Sequence, residues 1–139
     1  MNAKYLVSEK GQVAAEYLVI FAFLLVVVAV LFGYSFMSLN ESISVHKAKD
    51  AVLKITSASE NIAGLGEGSR TTIQIEMPDN VVSAIARENY VIITLQLASG
   101  NSDFVEYGNT IFSWTDLNTG RGIYNLVLEV SDGNITIGS

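Results

Sequence analysis

Between Glu16 and Glu41 the chain carries no charged residue, and most positions there are Leu, Val, Ile, Phe or Ala. A run of roughly 18 or more uncharged apolar residues is long enough to cross a bilayer as a helix. The rest of the chain has ordinary polarity, so the pattern predicts one anchor and not several spans. With 139 residues in all, what remains beside the anchor suffices for one small domain.

Charge is distributed unevenly around this run. Lys4 and Lys10 against Glu9 leave the first eleven residues net positive, whereas from Gly64 onward Arg70, Arg87 and Arg121 are outnumbered by carboxylates. Basic residues ahead of an apolar helix favour a cytoplasmic N-terminus, with the acidic body outside. The overall charge of −6 and the lack of a basic patch argue against binding nucleic acid through its phosphates. The chain contains no cysteine, which removes disulfides, thiol chemistry and cysteine-based metal sites.

A secretory signal places small residues at a cleavage site after its apolar core. Here the core ends in bulky Phe32-Gly33-Tyr34-Ser35-Phe36-Met37. The polar leader lies before the core instead and ends in Lys10-Gly11, followed by Gln12-Val13-Ala14-Ala15-Glu16-Tyr17-Leu18. This arrangement resembles the class III signal peptide of euryarchaeal type IV pilin-like proteins, in which a basic leader ending in Gly precedes Gln, with Glu-Tyr-Leu shortly after. Ala14 stands where that family usually has serine. The resemblance covers about the first quarter of the chain. It implies that a prepilin peptidase cuts between Gly11 and Gln12, removes residues 1–11 and leaves the apolar helix on the mature subunit. It further implies assembly into a helical homo-oligomeric filament by a pilus assembly ATPase and a membrane platform protein, with Gln12, Glu16 and Tyr17 as the assembly residues. The precursor would sit in the cytoplasmic membrane with its head outside, and the assembled filament at the cell surface would serve adhesion.

The residues give independent reason for such a cut. A carboxylate just inside an apolar helix costs on the order of 3 kcal/mol, so Glu16 needs a partner. Cleavage before Gln12 creates one, an amine that is cationic near neutral pH. Glu16 of one subunit would then pair with the Gln12 amine of a neighbour. In the first turn of the shortened helix it also gains about 0.3–1 kcal/mol from the helix dipole. A plain signal anchor would place Glu16 among headgroups, but it leaves the Gly-Gln junction without a purpose.

Helical periodicity continues beyond the apolar run. Val45, Ala48, Val52, Ile55, Ser59 and Ile62 recur at three- and four-residue spacing, with Lys47, Lys49, Asp50, Lys54 and Glu60 on the other surfaces. No proline interrupts residues 12–63, and a helix of roughly 50 residues is about 75 Å long. Gly33 is a candidate for a bend or a close helix contact. Gly64-Leu65-Gly66-Glu67-Gly68 follows a helix and precedes a strand, the reverse of a phosphate-binding glycine loop, and reads as a C-cap and linker (64–70).

Beyond the linker the period becomes two. Ile73, Ile75 and Met77 form one face; Val91, Ile93, Leu95 and Leu97 another; Phe112 and Trp114 a third; Tyr124, Leu126, Leu128 and Val130 a fourth. Met77-Pro78-Asp79-Asn80 marks a turn, and Asp132-Gly133 before Ile135 and Ile137 is a strong hairpin signal. Residues 81–88 are ambiguous between strand and a short helical turn. The expected class is therefore α+β: a long N-terminal helix, apolar then amphipathic, and a small antiparallel β head over residues 71–139.

Nothing in the head points to an enzyme or implies a cofactor. His46 is a lone histidine on a polar helix surface. Asp103, Glu106, Asp116 and Asp132 have no calcium-loop spacing and read as a solvated acidic face. Trp114 and its aromatic neighbours are expected in the core. No nucleophile-elbow pattern is present. Asn40-Glu41-Ser42 and Asn134-Ile135-Thr136 match the glycosylation sequon. Rival readings are a minor or priming pilin and a monomeric membrane-anchored binding module; conduction along Phe21, Phe23, Phe32, Tyr34 and Phe36 is a remoter one, since aromatics at these spacings usually serve packing.

Overall fold

A computed structural model of the chain describes residues 3–138, with side chains from Gly11 onward. The leader side chains of Lys4, Glu9 and Lys10 thus lie outside the described residues. One helix, α1 (Ala3–Ala63), precedes five strands: β1 (Arg70–Met77), β2 (Val81–Leu97), β3 (Gly100–Asp116), β4 (Gly122–Ser131) and β5 (Asn134–Gly138). The chain is α+β, as its two periodicities predict. It divides into two compact units, Met1–Asn40 and Glu41–Ser139, so the amphipathic part of α1 belongs with the sheet.

In the first unit the large apolar side chains from Val13 to Leu39 are exposed, Tyr34 at 78% and Phe32 at 76%. By length and composition the helix can cross a membrane. Leaving these side chains in water forgoes roughly 20–30 kcal/mol of burial, more than the ~5–15 kcal/mol that stabilises a typical domain. Lipid or protein must therefore cover this surface.

In the second unit the expected helix stripe is the one that packs. Ala48, Val52, Ile55, Ser59 and Ile62 are buried, together with Ala51 and Thr56, and Val45 packs against the edge of the cluster. They meet the inner face of a sheet of order β1-β4-β5-β3-β2, whose inward residues include Ile75, Met77, Val91, Ile93, Leu95, Leu128 and Ile135.

The head is not wholly antiparallel. The β4–β5 hairpin inserts β5 between β4 and β3, so β5 runs antiparallel to β4 and parallel to β3, with Phe112 opposite Ile135. Residues 81–88 resolve as strand, and β2 and β3 are longer than their alternating segments suggested. Asp132 (φ 53°) and Gly133 (φ 75°) form the two-residue turn expected of that dipeptide, both in the left-handed region that a type I′ turn requires.

The β2–β3 pair breaks register twice. Ala86 opposes Thr115 but Glu88 opposes Phe112, so β3 carries one extra residue there; between Glu88 and Tyr90 it carries three more, since Tyr90 opposes Tyr107. Such bulges bend a hairpin and reset which residues face inward. At the bend, Gly108 lies so close to α1 that a Cβ there would fall 2.8 Å from Thr56 Cγ2. Glu60 fills the gap in the ladder, accepting hydrogen bonds from Asn109 N (3.0 Å) and Asn109 Nδ2 (3.2 Å).

Candidate functional site

Gly11, Gln12, Glu16 and Tyr17 all lie on α1 with exposed side chains. The Gly11–Gln12 peptide is inside the helix, not at its end. Gln12 and Glu16 are one turn apart, and with Ala15, Val19 and Ile20 they line one shallow groove. A charge created at Gln12 would therefore arise on the surface that already carries Glu16. A Cβ at Gly11 or Gly33 would meet nothing within 4 Å, so neither glycine is required by packing within the chain.

The two sequons differ in setting. Asn40 is exposed in the middle of α1, beside Glu41, whose carboxylate accepts a hydrogen bond from Ala98 N at 2.6 Å. Asn134 opens β5 just after the Asp132-Gly133 turn and is half-exposed. Its sequon partner Thr136 donates its hydroxyl to the Glu129 carbonyl at 3.3 Å.

His46 is exposed on α1. Among the described residues no group of three or more His, Asp or Glu side chains is placed to hold a metal ion. The four carboxylates read as a solvated face are dispersed. Asp103 and Glu106 flank a groove beside Lys49, Asp116 ends β3, and Asp132 sits in the β4–β5 turn.

Trp114 corrects an expectation. Phe112 is buried (3%), but Trp114 is 66% exposed. The extra residue of β3 between them and the Ala86–Thr115 pair reverses the alternation, turning Trp114 outward. There it joins a row that alternation alone did not assemble. The Arg87 guanidinium carbon lies 5.3 Å from the Trp114 ring centroid and 5.5 Å from that of Tyr90, and the Tyr90 and Tyr107 rings are 5.7 Å apart at 54°. Arg87 Nε donates to the Tyr90 hydroxyl. That hydrogen bond, ahead of Coulombic and burial effects, pushes the guanidinium above its already high pKa, so it is a permanent cation. Trp114 Nε1 points to Asp116 Oδ1 at 3.4 Å. Exposed Tyr107 (68%) and Ile111 extend the surface.

The sequence signal for this row was Glu88-Asn89 and Gly108 interrupting two alternating runs, which marks a bulge without fixing its size. Comparison of the chain with family models, curated proteins and solved structures found no match.

Proposed function

We propose that the chain is a structural subunit of an archaeal type IV pilus-like surface filament, made as a membrane precursor and cut between Gly11 and Gln12. The observation that carries this reading is the exposed apolar surface of α1 from Val13 to Leu39 beside a head unit with its own closed core. Before assembly, lipid covers that surface; afterwards, the same residues pack among the helices of other copies. The transfer runs between two apolar settings, so packing and polar pairing, and not a large hydrophobic gain, supply its direction. Glu16 of one copy takes the Gln12 amine of another as its partner. A head-to-tail contact that does not close on itself gives an open helical filament. The heads form its outer surface, where adhesion is determined, and Asn134 is a glycan acceptor there.

The decisive measurement is mass spectrometry of the N-terminus in protein recovered from membranes that contain the processing peptidase. A mature chain beginning at Gln12 is expected. An intact Met1 start under those conditions rules the reading out.

A further inference from the structure

The row Trp114–Arg87–Tyr90–Tyr107 is exposed and has no role in holding the head together. Its residue types are those that dominate protein–protein contacts: Trp, Tyr and Arg supply most hot spots, while Lys and Glu are depleted from interface centres. Its charge is as informative as its rings. Lys47, Lys54, Arg70 and Arg121 are each paired with a carboxylate of the same chain, to Glu76, Asp50, Glu129 and Asp79. Among the described residues Arg87 forms no such pair; its guanidinium rests on aromatic rings instead. The same acidic chain has carboxylates to spare, and Glu88, Glu106 and Asp132 accept no side-chain hydrogen bond among the described residues. A cationic, ring-lined surface on an acidic body is complementary to another acidic body of the same kind.

We infer that the Trp114–Arg87–Tyr90–Tyr107 face of the β2–β3 bend is a docking surface for the acidic head of a second copy of this chain. Arg87 pairs with a carboxylate of that copy, and the rings cover the pair from water. The contact is heterologous, since a cationic face on one head meets an acidic face on the next, and it adds a head-to-head link to the helix packing. It rests on the filament reading only for bringing copies side by side. The row lies at the Glu60 end of the hairpin, where α1 meets the bulge, and not at the Glu41 end, where α1 meets the hairpin turn.

The test uses the full chain in membranes with the peptidase present, carrying Ile111→p-benzoylphenylalanine as a photo-cross-linker on the same face. Irradiation is expected to join this position to an acidic segment of a second head. The yield should fall about tenfold or more with Arg87→Glu or Trp114→Ala. Amide exchange in β2 and β3 should stay unchanged, because both side chains are at the surface. Equal yields in the variants, no self cross-link, or adducts only with another protein or with a saccharide would overturn the inference. The N-terminus of the same samples separates the two proposals. A Met1 start with self cross-linking intact removes the filament reading alone, and a Gln12 start without self cross-linking removes the docking surface alone.

Discussion

Gly108→Ala tests how the head is closed around its helix. A Cβ at this position would stand 2.8 Å from Thr56 Cγ2 and 3.5 Å from Glu60 Oε1. Carbon atoms pack at about 3.5–4.0 Å, so β3 or α1 must move by the better part of an ångström. Thr56 is buried in the helix–sheet interface and has little room to turn. Overpacking of this kind costs about 1–3 kcal/mol. Moving β3 outward also stretches the bonds from Asn109 to Glu60, each worth about 1 kcal/mol. The single substitution is therefore expected to destabilise the head by about 2–4 kcal/mol, a fall in Tm on the order of 10–20 °C for a unit of this size. Thr56→Ser removes the obstructing methyl at a cost of about 1 kcal/mol. With both changes present the clash is gone and the cost should return to about 1 kcal/mol, a coupling near 2 kcal/mol. Thermal and urea unfolding of the four full-length chains in mild detergent, followed by circular dichroism, closes the cycle. Costs that add to within about 0.5 kcal/mol would show that the two positions do not press on each other, and the account of the bend would fail.

Glu67→Ala should destabilise the β4–β5 turn by about 1–2 kcal/mol, because its two oxygens accept from Asp132 N (2.7 Å) and Gly133 N (3.2 Å). Faster amide exchange at those residues, with little change in β2, is the expected signature; uniform loss across the head would contradict it. Glu16→Ala should leave cleavage before Gln12 intact while filament yield falls about tenfold, for a lost pair of order 1–2 kcal/mol. Normal filament yield from that variant would remove Glu16 from assembly.

The parts of the fold that follow from one element's own period were legible in the sequence. The helix stripe from Val45 to Ile62 and the Asp132-Gly133 turn were placed correctly because each depends on spacing within a few residues. The parallel β3–β5 pairing was not, since it arises from where a hairpin inserts and no local pattern encodes that. Trp114 was assigned to the core because alternation with Phe112 carries no mark of an inserted residue between their faces. A single extra residue reverses every later side chain on a strand, so one bulge moved the most exposed tryptophan contact surface from inside to outside. Arg87 was passed over for the same reason: its partners lie on three strand segments that only the bent hairpin brings together.

The acidic balance of the chain also acquires a second meaning. Read from composition, it describes a solvated exterior. In the fold, Glu41 caps the β2–β3 turn at Ala98, Glu60 caps the β3 bulge at Asn109, and Glu67 caps the β4–β5 turn. Each carboxylate accepts a backbone N–H that the strand ladder leaves over, and an unmet donor costs about 1–3 kcal/mol where water is excluded. Glu41 and Glu60 stand at the two ends of the stretch of α1 that packs in the head, so between them they fix the register of the hairpin along the helix. An apolar stripe alone sets which face of a helix is buried but leaves sliding by a turn comparatively inexpensive, whereas two acceptors with fixed donors do not. The negative surplus thus serves the docking of the sheet on its helix, and it leaves the remaining carboxylates free to meet a cation such as Arg87 on another copy.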